Sequence, residues 1–267
     1  MSWSALDTLP RTVTFQEVLW DTALDQGIVP SVDGIDNAIA EQITRGINLA
    51  YRYAWEFHDW PDAMSMGPLT VSAHPVHGGV FLPRQRATGA RLAVVEGIWT
   101  AHPLAKPTEA QPVCYRMGPD GWYLDGVTLT ADAATVTVHY REDAPRFTAA
   151  VWDSTRIYPV GGLCYLPSTG HCYRCTAIAF NFTSPQVPQV PVPAPPSASW
   201  VEVPLLYILA DAVKAGAGAM FARTEGQYGT AGLLDNAMAH LLEQQILLIQ
   251  NQNGHTKTYR SQTAHGN

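Results

Sequence analysis

Residues 47–61 read Ile47-Asn-Leu-Ala-Tyr51-Arg-Tyr-Ala-Trp55-Glu-Phe-His-Asp-Trp60-Pro61, a stretch that closes a helix and begins something else. Upstream, Ile35, Ile39, Ile43 and Ile47 stand four apart. Gly46, Ala50, Ala54 and Phe57 extend them into an apolar stripe of helical period that starts after Asp33 or Asp36. Pro61 ends the run, because proline has no N–H and its ring excludes helical backbone at the residue before it. The aromatics of 51–60 are too many for one helix face. They read as a core anchor, with an aromatic interface as the alternative. A shorter helix precedes this one. Thr14 is placed to cap it, Glu17 stands three residues on in capping-box position, and Gly27 and Pro30 stop it near Gln26.

Downstream the period changes. From about 69 to 181 the pattern alternates, with strands expected around Val71, Val80-Phe81, 92–95 and Ile98-Trp99. Tyr115 and 122–124 flank Gly118-Pro119-Asp120-Gly121, which has the composition of a tight reversal. In 135–140 one face carries Val136, Val138 and Tyr140 and the other Thr135, Thr137 and His139. Six prolines in 185–196 predict an extended arm. Helical character returns beyond Trp200. Pro204 suits a first turn, and small residues (Ala210, Ala212, Ala215, Gly216, Gly218) over 205–223 allow close helix contact. Gly226 and Gly229 interrupt it, and Thr230 can cap a last helix to about Ile249, with Leu234, Met238, Leu241 and Leu248 inward.

The fold class expected from this order is α+β: a helical bundle from the N- and C-terminal segments, with an inserted antiparallel β domain and a Pro-rich arm. The expected divisions are 1–66 (helical), 67–150 (inserted antiparallel β), 151–201 (a small β module with the arm at 185–196), 202–250 (a helical pair completing the helical part) and 251–267 (an extended polar tail).

Composition narrows the function. Apolar residues make up 46% of the 267 and charged residues only 15%, against about 25% in an average soluble domain. A surface so neutral is one that an assembly can bury. Arginine outnumbers lysine 13 to three (Lys106, Lys214, Lys257), the bias of interfaces and of GC-rich genomes alike. The net charge of −7 resides in residues 1–63, with ten acids and three bases, and no acid follows Glu243. This excludes a general nucleic-acid binder with a basic face. Residues 1–7 lack a signal-peptide pattern, and the most apolar stretch, 205–222, is interrupted by Asp211 and Lys214. No membrane partner is expected, and synthesis in the cytoplasm follows.

The densest cluster of reactive side chains is Cys164, His171, Cys172 and Cys175. Thiolate and imidazole ligate Zn²⁺, and a C-x-x-C spacing lets two sulfurs reach one metal. Against this, only Cys164 or Cys114 is left as a further thiol, and positions 172 and 175 of a strand face opposite ways. Zinc ligation, an inter-strand disulfide and ordinary buried thiols all stay open, the last being the reading taken. His74 and His77 have H-x-x-H spacing without a nearby carboxylate, and His58-Asp59 suits a helix-end cap. Nucleophile elbow, phosphate loop, dinucleotide fingerprint and H-E-x-x-H are lacking. The chain reads as a non-enzyme with no cofactor and no catalytic residue.

Three segments in order resemble the head-to-tail connector (adaptor) proteins of tailed bacteriophages. The first is 47–61. The second is Val136-Thr-Val-His-Tyr-Arg141-Glu-Asp-Ala-Pro145-Arg-Phe-Thr. The third is Trp200-Val-Glu-Val-Pro204, followed by an Ala-rich helix, Gly226-Gln227 and a last helix through Ala237 and Leu241. Together these touch about half of the chain. The resemblance implies a structural virion protein at the neck, assembled in the host cytoplasm as a homo-oligomeric ring of roughly twelve copies. It implies docking under the portal protein, contact with a tail or stopper protein, and a channel through which viral DNA passes non-specifically. It also places a C-terminal arm on the portal, with Lys257, Thr258, Tyr259 and Arg260 as binding residues. A tail-terminator or stopper protein is the neighbouring alternative.

A local resemblance covers 156–201. Tyr158-Pro-Val-Gly-Gly162-Leu-Cys164-Tyr165, then Gly170-His-Cys-Tyr173-Arg-Cys-Thr, then Trp200 are similar to small β modules of chitin-binding type. It implies that Tyr165, Tyr173 and Trp200 either stack on a sugar ring or serve as module core or subunit contact. The corresponding alternative function is a carbohydrate-binding module of a host-recognition protein.

Overall fold

The computed structural model describes residues 11–28, 34–86, 88–129, 133–176, 195 and 199–263, with side chains as far as 251. The chain enters through a two-residue strand, β1 (Thr12–Val13), and helix α1 (Phe15–Asp25). The Thr14 hydroxyl accepts the Glu17 amide N–H at 3.1 Å, satisfying one of the amides a helix start leaves unpaired. Helix α2 (Asn37–Phe57) starts at Asp36, whose carboxylate accepts the amides of Ala38 and Ile39; Asp33 lies outside the described residues. A 3₁₀ turn at Pro61–Ala63 then redirects the chain into the sheet.

Six strands make the largest β unit: β2 (Met64–Ala73), β3 (Val80–Pro83), β4 (Leu92–Trp99), β5 (Cys114–Met117), β6 (Gly121–Asp125) and β7 (Ala133–Glu142). They pair antiparallel in the order β4-β7-β2-β3-β6-β5. The two edges nearly meet. The Val113 amide donates to the Ile98 carbonyl at 2.8 Å and the Thr100 amide to Gln111 at 3.0 Å, beside the Tyr115 hydroxyl bound to the Val95 carbonyl. The sheet therefore curls almost into a barrel, which removes exposed edges. Two irregularities in β4 increase its bend. Leu69, Val71, Leu82, Leu92, Ile98, Trp122, Leu124, Val136 and Val138 fill the interior.

A three-stranded sheet follows, β8 (Leu163–Leu166), β9 (His171–Cys175) and β10 (Trp200–Glu202), in the order β10-β9-β8. Strand β11 (Leu205–Leu206) pairs with β1 and runs into helix α3 (Tyr207–Thr224). The Gly226 turn then leads into helix α4 (Tyr228–Thr263). Small residues set the helix spacing. A Cβ at Gly46 of α2 would sit 3.0 Å from the Ala217 carbonyl oxygen of α3. One at Gly216 would fall 2.5 Å from the Met238 sulfur and 2.7 Å from the Ala50 Cβ. Ile43, Ile47, Leu209, Val213 and Leu242 are fully enclosed in the resulting core, each contributing about 1.5–3 kcal/mol by leaving water.

This architecture corrects the expected fold class. The described residues are mixed and β-rich, with four helices, a near-barrel sheet and two smaller sheets, and they do not form a helical bundle carrying an insertion. The core that the helices enclose is completed by non-helical residues: Phe147, Tyr165, Cys172, Val203 and Leu205 are among its buried members. A helical stripe shows that a face is buried, but says nothing about whether a helix or a strand covers it. The second difference concerns the described part of the expected extended tail at 251–267: helix α4 continues through Thr263, and 264–267 lie outside the described residues. Gln252, Lys257, Arg260 and Gln262 are good helix formers, and the lone Gly254 weakens a helix without stopping it. The Pro-rich arm at 185–196 lies outside the described residues except Pro195, which is buried.

Candidate functional site

The small sheet gathers the reactive side chains and then separates them. Alternation along β9 sends Cys172 into the helix-lined core and Cys175 into a second small core with Cys164, Tyr158, Tyr173 and Trp200. All three thiols are buried, whereas Cys114, on β5, is exposed. Cys172 Sγ donates to the Thr148 carbonyl at 3.3 Å and Cys175 Sγ to the Tyr158 carbonyl at 3.7 Å. Burial pushes the Cys164 thiol up to about 12, with the Cys175 thiol adding to it. Burial does the same for Cys172, also to about 12, with the Thr148 contact opposing. His171 is engaged elsewhere, with Nδ1 3.1 Å from a Glu202 carboxylate oxygen. Among the described residues no three His, Cys, Asp or Glu side chains come together as a metal site. Zinc ligation is one of the readings left open for Cys164, His171, Cys172 and Cys175; the strand's alternation puts Cys172 in a different core from Cys164 and Cys175.

The aromatics of the local resemblance are equally enclosed. Tyr165, Tyr173 and Trp200 are 8%, 5% and 6% exposed, so no ring face is open to stack on a sugar. Tyr165 packs edge-on against Phe15, 5.5 Å away, and Trp200 packs edge-on against Tyr158 at 5.1 Å. They are core residues. The Tyr165 hydroxyl is pushed up to about 12, chiefly by burial.

The aromatic stretch at the end of α2 divides. Tyr51, Trp55 and Trp60 are buried, while Tyr53 and Phe57 are exposed beside each other. The Trp60 indole donates to the Ala54 carbonyl at 2.6 Å, and the Tyr51 hydroxyl bridges the Pro204 carbonyl and the Leu206 amide. Arg141 of β7 is buried against the same helix end. It donates to the carbonyls of Trp55 and His58 and lies 3.2 Å from Asp59. His74 and His77 form a loop cap: His74 Nδ1 accepts the amides of Val76 and His77, and the two rings stack at 4.9 Å.

Exposed large apolar side chains occur on loops and strands (Val76, Leu104, Met117) and on the outside of the helices. Trp20 and Leu24 on α1, Leu49 and Tyr53 on α2, and Leu233, Leu247 and Leu248 on α4 are all exposed. A groove of about 350 Å³ lies between α2, α3 and α4, lined by Leu49, Ala50, Tyr53, Met220 and Met238, with the Arg223–Asp235 pair at its edge. Helix α4 has 36 residues, about 54 Å at 1.5 Å per residue, twice the about 27 Å of α3. Its far half therefore runs beyond the helix it packs on. Lys257, Thr258, Tyr259 and Arg260 fall on that half; their backbone is helical and their side chains lie outside those described.

No family model and no curated protein matches this chain. Residues that the sequence did not single out emerge from the geometry. Arg86 and Arg174 converge on Glu142, at 2.6 and 3.6 Å, in a polar groove of about 370 Å³ between the two larger cores. Arg45, Arg52, Arg91 and Arg146 line another, of about 710 Å³. Neither set has a sequence signature, because its members come from separate strands, loops and helices.

Proposed function

We propose that this chain is a structural virion protein, a head-to-tail connector (adaptor) subunit that forms a ring under the portal, joins capsid to tail and leaves a channel for DNA. The observation that carries the reading is the helix exterior. Trp20, Leu24, Leu49, Tyr53, Leu233 and Leu247 are exposed on elements whose inner faces are already packed. Adjoining copies would bury what remains exposed of them. The long α4 supports the reading too, as an element able to reach a neighbouring protein, with Lys257, Thr258, Tyr259 and Arg260 on the reaching half.

On this reading the partners are further copies of the chain (roughly twelve), the portal, and a tail or stopper protein. The location is the virion neck, after assembly in the host cytoplasm. The role is mechanical, without catalysis or cofactor. No helix among the described residues is long and apolar enough to cross a membrane.

The test is assembly. Purified chain mixed with the portal of the same virus should give rings bound to portal in negative-stain images. A strictly monomeric protein that ignores the portal defeats the reading. A ring of about sixfold symmetry transfers the assignment to a stopper or tail terminator.

A further inference from the structure

Two faces of the helical side carry opposite charge. The first lies along the outside of α2 and the segment after β7, where Arg45, Arg52, Arg91 and Arg146 stand against Glu56 and Asp143. Arg45 also has Glu41 at 3.9 Å, a long contact between two well-exposed side chains. Arg146 has no ion-pair partner among the described residues. The face is apolar at Leu49, which is half exposed.

The second face lies across α1, α3 and α4. Asp21, Asp25 and Asp211 stand against the single Lys214, next to Leu24 and Leu234. Lys214 Nζ is committed to Asp21 at 3.1 Å and Asp211 at 3.0 Å. Asp25 has no ion-pair partner among the described residues. Glu17, two turns before Asp25 on α1, is exposed as well.

The faces share no residue, and α3 stands between them. Its Gly216 and Ala217 meet α2, while Lys214 and Gly218 meet α1 at Asp21 and Gln26. We propose that copies of this chain associate head to tail, the arginine face of one subunit against the aspartate face of the next. The partner is a second copy because one chain carries both halves of the match: a net positive groove with an unpaired arginine and an exposed leucine, and a net negative one with an unpaired aspartate and an exposed leucine. Two different patches make a heterologous contact, which closes into a ring when the rotation permits. The proposal deepens the connector reading and rests on it.

The test uses the full chain in sedimentation velocity and native mass spectrometry at low and high salt. Arg45→Glu with Arg146→Glu reverses one face, and Asp25→Arg with Asp211→Arg reverses the other. All four residues are solvent-facing apart from their local pairs, and thermal melting checks that each variant folds. The wild type assembles, less so as salt screens the contact. Each double variant needs at least about tenfold more protein to assemble, equivalent to about 1.4 kcal/mol. An equimolar mixture of the two variants assembles like the wild type, because each reversed face then meets its reversed complement. Wild-type-like assembly of either variant alone, or a mixture that stays monomeric, overturns this interface while leaving the ring reading standing. A wild type that is monomeric with and without portal removes both.

Discussion

Nη1 of Arg141, on β7, lies 3.1 Å from the carbonyl oxygen of Trp55 near the end of α2, and the Trp55 indole N–H in turn donates to the carbonyl of the next β7 residue, Glu142, at 3.0 Å. The same guanidinium reaches the His58 carbonyl at 3.0 Å. A helix end leaves carbonyls without partners and carries partial negative charge, so a buried arginine suits it on both counts. This reciprocal pair fixes the near-barrel to the helices.

Arg141→Leu should therefore destabilise the protein. It leaves buried carbonyls unpaired, at a cost of about 2–3 kcal/mol. Urea unfolding of the variant would show this as a lower midpoint, and a loss below about 0.5 kcal/mol would mean the lock contributes little.

Glycines predict opposite signs at different positions. Gly46→Ala places a Cβ 3.0 Å from the Ala217 carbonyl oxygen and 3.2 Å from its Cα, which should cost about 1–3 kcal/mol through overpacking. Gly232→Ala, inside α4 with nothing within 4 Å, should stabilise by about 0.4–1 kcal/mol by restricting the unfolded chain. Thermal melts of the two variants should move in opposite directions. A shared sign would contradict the close α2–α3 crossing.

Thiol chemistry should discriminate sharply. Cys114 is exposed, and Cys164, Cys172 and Cys175 are buried. The native protein should release colour equivalent to one thiol with a disulfide reagent at pH 8, and four after denaturation. Fast reaction of more than one native thiol would disprove the burial pattern.

Alkaline stability follows from the same groups. Cys164 and Cys172 rise from 9.0 to about 12 on folding, both chiefly by burial. The folded form thus holds protons that the unfolded chain gives up. Their contribution is complete below pH 9 and is lost as pH climbs toward 12. Replacing both by alanine should flatten the fall in unfolding free energy over that window. An unchanged slope would assign the pH dependence to other groups.

Zinc should leave the protein indifferent. Because Cys172 faces a different core from Cys164 and Cys175, added Zn²⁺ or chelator should not move the melting temperature. A rise of several degrees with stoichiometric zinc would show the three thiols converging after all.

Much of the local structure was legible because it rests on local physics. Asp36 and Thr14 cap helices through their own next turn, and Pro61 stops α2 by lacking an N–H. Gly118-Pro119-Asp120-Gly121 makes its reversal with the Gly118 amide donating to the Gly121 carbonyl at 2.7 Å. The excess of acid in residues 1–63 likewise follows from composition, and Asp21 and Asp25 show where part of it emerges. Strands of two or three residues, such as β1, β10 and β11, were not legible, since so few positions carry no period.

Tertiary structure decided the rest. It curled six strands toward closure through bonds between residues 98–100 and 111–113, which no local pattern encodes. It enclosed Tyr165, Tyr173 and Trp200 where their order alone also suited a sugar platform. It divided Cys172 from Cys164 and Cys175 although their spacing suited a metal. It also assembled the arginine and aspartate faces from helices and loops far apart in sequence. The sequence by itself determined where elements begin, end and turn, because caps, prolines and periodicity act within a few residues. Which side chains end up buried, paired or offered to a partner depended on long-range packing, because burial is a property of whatever element arrives to cover them.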